Sequence, residues 1–198
     1  VKFFISSSVK IISEIEFASL HCNSKIIGVT GSNGKTTTTT LAYKLISEGG
    51  YNCTISGNIG NSFSNVCEND TDFSIVEVSS FQLDGIESFK PHIAILTAIT
   101  PDHLDRYKNF EAYVESKFKI IKNQSEKDYL IYDSDCETID SYIKSNKIKS
   151  KLLPFSIKKK VDQGAYFFNN EINIITKKNK INMPTENFLV KGNHNIKN

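Results

Sequence analysis

The sequence predicts an α/β protein: a mainly parallel sheet flanked by helices, with a small antiparallel β region near the C-terminal end. Three observations predict it. Short apolar, β-branched runs alternate with helical stretches between residues 25 and 156. A glycine-rich turn joins the first apolar run to the first long helix. From about residue 157 the pattern changes to alternating segments, "AYFFNNEINIITKKNKINMP", broken by Asn-Asn and Lys-Lys-Asn turn signals.

The elements follow in order. "KIIGVT" (25–30) is a continuous apolar run and predicts a buried strand. "KTTTTTLAYKLISEGG" (35–50) predicts a helix with Leu41, Leu45 and Ile46 facing inward and Gly49-Gly50 as its stop. Threonine is a poor helix former, so this start is not chosen for propensity. The hydroxyls of residues 37–40 are expected to bond back within the helix, a structural role. Further strands are predicted at 51–56, 72–79, 91–99, 128–133 and 151–156, with helices at 109–123 and 137–145.

Composition narrows the function. The 198 residues, 39% of them hydrophobic, suffice for one substantial core and a small second module. A net charge of +2 gives no reason to expect nucleic acid as a partner. Nearly all the positive charge is lysine, and Arg106 is the only arginine. Cys22, Cys53, Cys67 and Cys136 lack CxxC spacing and read as reduced thiols. No apolar run approaches the roughly 20 residues of a membrane span, and the N-terminal stretch does not read as a secretory signal. The chain starts at Val1 and stops at "KGNHNIKN", which suggests a piece of a longer protein.

The segment Gly31-Ser32-Asn33-Gly34-Lys35-Thr36-Thr37 has the strand–loop–helix setting of a phosphate cradle. Glycines let backbone N–H groups converge on anionic oxygens, and the helix N-terminus adds partial positive charge. Lys35 can reach the terminal phosphates and the Thr36 hydroxyl can ligate Mg²⁺. The strict pattern would place a glycine at Val29, so the loop is a variant.

ATP chemistry also needs a hard oxygen ligand from a neighbouring strand. Glu77 closes the apolar run of "SIVEVSS", where an unpaired charge is costly, and strand carboxyl ends are where open α/β sheets hold ligands. "TPDHLDRY" (100–107) follows the next strand and gathers Asp102, His103, Asp105 and Arg106; a loop histidine of this kind is either a ligand or simply solvated. His21 and His92 read as surface residues. Phe110, Tyr113, Val114, Lys117 and Ile121 form one helical stripe, placing Lys117 on the inward face. Two readings stand for Lys117: a snorkelling lysine, or a buried amine of depressed pKa that reacts with CO₂ to give an anionic carbamate ligand.

Together these residues resemble the Mur ligases, ATP-dependent amide-forming enzymes of peptidoglycan precursor synthesis, and in particular their D-glutamate-adding branch. "GVTGSNGKTTTT" is similar to the family phosphate loop, including its departure from the strict pattern. "SGNIG" resembles the segment that places Asn58 near metals and substrate. "EVSSFQL" resembles a stretch in which Glu77 binds Mg²⁺ while Ser79 and Gln82 face the muramoyl substrate. "DHLDRY" with Lys117 downstream resembles the same branch: His103 binds a second Mg²⁺ and Lys117 is carbamylated, and Arg106 and Tyr107 help choose the branch. "KGNHNIKN" resembles an adenine-contacting motif and implicates His194, Asn195 and Asn198.

The resemblance implies a P-loop central ATPase domain over residues 24–198, preceded by a remnant of a UDP-binding domain at 1–23, with the C-terminal ligase domain outside the sequence. It implies ATP and two Mg²⁺ ions as cofactors. The implied substrates are UDP-N-acetylmuramoyl-L-alanine and D-glutamate, joined through an acyl phosphate. A monomer of the bacterial cytoplasm, serving cell-wall synthesis, is the implied setting. Alternatives are another Mur ligase, a folylpolyglutamate synthase, or a truncated nucleotide-binding module without ligase activity.

Overall fold

A computed structural model describes residues 10–103, 105–186 and 197. Its strands are β1 (Lys25–Thr30), β2 (Cys53–Gly57), β3 (Phe73–Glu77), β4 (Ile93–Leu96), β5 (Tyr129–Asp133), β6 (Lys151–Ser156), β7 (Gly164–Phe168), β8 (Glu171–Ile175) and β9 (Lys180–Pro184). The helices are α1 (Glu14–Leu20), α2 (Lys35–Glu48), α3 (Ser80–Asp84), α4 (Phe110–Phe118) and α5 (Glu137–Ser145).

Among the described residues, the nine strands form one sheet in the order β2-β3-β1-β4-β5-β6-β7-β8-β9. Pairing is parallel from β2 through β7, and β8 and β9 add antiparallel. The α/β expectation and the antiparallel C-terminal region both hold, although β7 itself pairs parallel with β6. Crossover helices such as α2 and α5 return the chain to the same end of the sheet and make the strands they join parallel, and the helix-free segment 157–163 does the same before β7, whereas the Asn169-Asn170 turn, both residues at positive φ, reverses the chain at once.

The larger core joins Ile26, Val76, Leu96, Leu130, Phe63, Phe89 and Tyr113. Ile15 and Ala18 of α1 are wholly buried in that same core, so residues within the 1–23 segment pack as part of this body. A buried carboxylate fixes the helix there. Glu16, 3% exposed, accepts hydrogen bonds from the backbone N–H groups of Glu87, Ser88 and Phe89 and from the Ser88 hydroxyl. Burial alone would raise its pKa, but these donors outweigh it and hold the carboxyl below its ordinary value.

The smaller core lies on the other side of β1 and β3, where α2 presents Ala42, Tyr43 and Ile46. Leu45 corrects the sequence reading: it is 67% exposed, and Thr38 and Thr39 are buried instead. The helix turns its small, hydroxyl-bearing face to the sheet. Thr39 and Thr40 return their hydroxyl protons to the carbonyls of Lys35 and Thr36, as expected for threonines inside a helix.

Candidate active site

The sheet register brings four chain segments to one edge. Glu77 lies level with Val29 on one side and Gly57 on the other, and Thr30 lies level with Leu96. The loops after β1, β2, β3 and β4 therefore meet at the strand carboxyl ends, the position at which open parallel sheets hold ligands.

The Gly31–Gly34 loop is clamped from the β4 side. Thr97 donates its hydroxyl proton to Asn33 O at 2.6 Å, and Ser32 N–H donates to Ala98 O at 2.8 Å. The Ser32 hydroxyl donates to Thr100 O at 2.9 Å and lies 3.0 Å from the phenol oxygen of Tyr113. Gly31 has φ +148°, and a Cβ there would fall 1.9 Å from Thr97 Oγ1, so no larger residue fits. Burial pushes the Tyr113 phenol up, which keeps it protonated as a brace for Ser32. Tyr113, Thr97 and Thr100 were not singled out for this loop by the sequence. Thr97, a polar residue ending the apolar run "IAIL", was the available signal.

Beside the loop, Thr36 donates its hydroxyl proton to Glu77 Oε2 at 2.8 Å, and Asn58 Nδ2 donates to Glu77 Oε1 at 3.1 Å. Glu77 is 2% exposed. Gly57, at φ +98°, makes this approach possible, because a Cβ there would lie 2.2 Å from Glu77 O. Three residues singled out separately in sequence thus form one cluster. Its donor set is a carboxylate, a hydroxyl and a carboxamide, the oxygen chemistry that Mg²⁺ prefers.

Lys35 folds back over the loop, with Nζ 2.9 Å from both Gly31 O and Ser32 O. Lys117 reaches the same place from below: it is 2% exposed, donates to Gly31 O at 2.9 Å and lies 3.4 Å from Thr30 Oγ1. Its pKa is lowered to about 7, first by burial and then by the charge of Lys35. The stripe prediction for α4 holds, and the snorkelling alternative for Lys117 does not.

His103 and Lys117 make no direct hydrogen bond, although both lie near the Tyr113 ring, at 6.3 Å between ring centres and 5.3 Å from Nζ to the ring centre. The His103 backbone is at φ 51°, its Nε2 lies 3.5 Å from Asp102, and its ring packs 4.8 Å from that of Phe81. Among the described residues no three His, Cys, Asp or Glu side chains converge as a metal cluster. Ser79 and Gln82 are engaged with each other. Ser79 caps α3, a helix the sequence reading did not predict, and Gln82 returns its side-chain oxygen to Ser79 N–H at 2.9 Å, a full capping box. His194, Asn195 and Asn198 lie outside the described residues. The four cysteines are free, and no described helix is long and apolar enough to cross a membrane.

Over 192 residues the chain is 52% identical to a UDP-N-acetylmuramoylalanine–D-glutamate ligase of Christiangramia forsetii, covering 96% of this chain and 43% of the relative. A solved UDP-N-acetylmuramoyl-L-alanyl-D-glutamate–2,6-diaminopimelate ligase shares the fold with TM-score 0.67 at 22% identity, over 92% of this chain and 43% of the other. The MurF ligase of Thermotoga maritima, solved with ADP, does so with TM-score 0.59 at 19% identity, over 80% of this chain and 39% of the other. The family model described as the Mur ligase middle domain matches residues 29–198, from β1 across the phosphate loop, the Glu77 cluster and the Lys117 helix. A glycine loop clamped beside a buried carboxylate and a buried lysine is the site found within that match, and the chain belongs to the Mur ligase family.

Proposed function

We propose that this chain is the ATP-handling part of an amide ligase that adds D-glutamate to UDP-N-acetylmuramoyl-L-alanine. The observation that carries the reading is the Thr36–Glu77–Asn58 cluster, closed around a buried carboxylate directly beside the phosphate loop. The relative's name supplies the substrates.

Gly31, Ser32, Asn33, Gly34, Lys35, Thr36 and Thr37 would hold the ATP phosphates. Lys35 would leave the Gly31 and Ser32 carbonyls for phosphate oxygens, exchanging neutral partners for charged ones. Thr36 and Glu77 would hold one Mg²⁺; His103 and Lys117 as its carbamate would hold a second. Bound Mg²⁺ supplies Lewis-acid stabilisation of the negative charge that accumulates during phosphoryl transfer. Lys117 fits the carbamate role because its amine is buried and readily neutral, and neutral amine is the form that reacts with CO₂.

The substrate carboxylate and ATP are both anions. The helix N-terminus at Lys35 and the Lys35 ammonium offset their repulsion, and the walls behind Gly31 keep the geometry fixed. Asn58 orients Glu77. Ser79 and Gln82 shape α3 beneath the muramoyl substrate, and His194, Asn195 and Asn198 would contact adenine. Residues 1–23 are read as chain arriving from a UDP-binding domain, latched by Glu16, and the protein as a monomer of the bacterial cytoplasm.

The test is phosphate release from ATP by the full-length protein. Release that requires both UDP-N-acetylmuramoyl-L-alanine and D-glutamate is expected. Release with the UDP substrate but with a different amino acid would overturn the branch, and no release would overturn the ligase reading.

A further inference from the structure

Arg106 is the one arginine in a chain whose Lys and Arg total 24. Lysine serves every other cationic position, so a guanidinium stands here where an ammonium does elsewhere. Its Cζ lies 4.1 Å from the centre of the Phe81 ring. Among the described residues it forms no ion pair and no side-chain hydrogen bond, and Asp84 of α3 and Asp102 of its own loop have other partners. Asp84 is occupied by Lys119 at 2.8 Å and by the Tyr107 hydroxyl at 2.7 Å. Asp102 is occupied by its own loop, through His103 N–H at 2.9 Å and His103 Nε2 at 3.5 Å. Asp105 is adjacent in sequence but makes no pair with it.

Phe81 is 37% exposed and Arg106 is exposed as well, so the cation–ring pair forms a solvent-facing shelf. The shelf lies at the outer end of a line of contacts from the phosphate loop. Ser32 touches Tyr113 at 3.0 Å, the Tyr113 and His103 rings are 6.3 Å apart, His103 and Phe81 are 4.8 Å apart, and Arg106 covers Phe81. Arg106 is therefore at the site's rim, separated from the ATP side by His103 and Phe81. A guanidinium held over a ring face is restrained beside that ring while its N–H groups stay free to take an oxyanion on two prongs, which a lysine ammonium cannot reproduce.

We propose that Arg106, held on Phe81, binds an oxyanion of the UDP-linked substrate, either its carboxylate or its diphosphate, and so determines affinity for that substrate and not for ATP. This rests on the ligase reading above. The proposal adds a substrate contact to a residue that the sequence used only to choose a branch.

The test uses the full-length enzyme with Arg106→Met, which keeps the apolar cover over Phe81, and Arg106→Lys, which keeps the charge. Wild-type turnover of UDP-N-acetylmuramoyl-L-alanine is measured first, so that failure of the ligase reading is seen separately. Losing a charged hydrogen-bonding pair should raise KM for the UDP substrate about tenfold or more in Arg106→Met, with KM for ATP within about twofold and only partial recovery in Arg106→Lys. Competition by N-acetylmuramoyl-L-alanine, which has the carboxylate alone, and by UDP-N-acetylglucosamine, which has the diphosphate alone, identifies the source: the inhibitor whose affinity falls in Arg106→Met carries the contacted group. Unchanged KM for the UDP substrate in a folded Arg106→Met enzyme would overturn the proposal. So would an equal rise in KM for ATP, or full recovery in Arg106→Lys.

Discussion

Lys35 and Lys117 donate to one oxygen: each Nζ lies 2.9 Å from the carbonyl of Gly31. Two ammonium groups on a single neutral acceptor repel each other, and the buried partner yields. The pKa of Lys117 falls to about 7, with burial the larger cause and the Lys35 charge the next. The arrangement is electropositive and ready for an anion, which would draw Lys35 away.

Lys35→Ala should therefore do two things. In the full-length enzyme, phosphoryl transfer should fall by about 10²-fold or more, the scale for loss of a positioned donor. Removing the like charge should also raise the Lys117 pKa, though not to its ordinary value, because burial remains. The pH dependence of amine acylation at Lys117, followed by peptide mass spectrometry, reads this shift; an unmoved midpoint would show that the two amines are not coupled.

Lys117 also sets a pH dependence of stability. Its folded pKa, about 7, lies below the 10.5 of an ordinary lysine. Between these values the unfolded chain binds a proton that the native state does not, so stability rises with pH across that window. Below about pH 7 both states are protonated and the cost of the buried charge is fully present. At about 1.4 kcal/mol per pKa unit the effect amounts to a few kcal/mol. Lys117→Met should flatten urea-unfolding stability between pH 6.5 and 9, relative to the parent protein.

Lys117→Ala tests the carbamate separately. It should lose most activity, and added formate or acetate should restore part of it by supplying an oxygen ligand. Activity titrated against acetate decides; full activity without added acid would leave Lys117 a purely structural amine.

Gly31→Ala should cost both stability and nucleotide affinity. The new Cβ meets Thr97 Oγ1 at 1.9 Å and must adopt φ +148°. A loss of about 2–3 kcal/mol is expected for strain of this kind. Adding Thr97→Ala removes the hydroxyl contact but not the backbone strain, so recovery should be partial. Thermal melts of the single and double variants, with ADP titration, measure both effects.

Glu16→Gln should unlatch α1. A carboxylate accepts all four donors, whereas an amide offers one oxygen and brings two N–H groups of its own. About 2–3 kcal/mol is expected for the donors left unpaired. Because the Glu16 pKa is depressed, its contribution is present at neutral pH and is lost as pH falls through the folded value. Urea unfolding followed from pH 7 into the acid range should therefore separate Glu16→Gln from its parent at neutral pH, with the gap narrowing as pH falls below the ordinary carboxylate value.

By itself, the sequence determined the alternation of strand and helix, the phosphate loop after the first strand, the inward face of α4 and the strand-end position of Glu77. These are local facts. Period, glycine placement and the cost of an apolar run ending in a charge are written in consecutive residues. Tertiary structure decided the rest because it depends on what faces what. Leu45 lies outward because α2 rests its threonine face on the sheet, which periodicity cannot foresee. Tyr113 looked like one more apolar stripe residue, and only the approach of the β1 loop made its hydroxyl a brace for Ser32. Nothing in the sequence singled out Glu16, and three backbone N–H groups from residues 87–89 made it a buried anchor. Lys35 and Lys117 are 82 residues apart in the chain, and it is the parallel register of β1 and β4, with α4 packed beneath them, that sets both amines against one carbonyl.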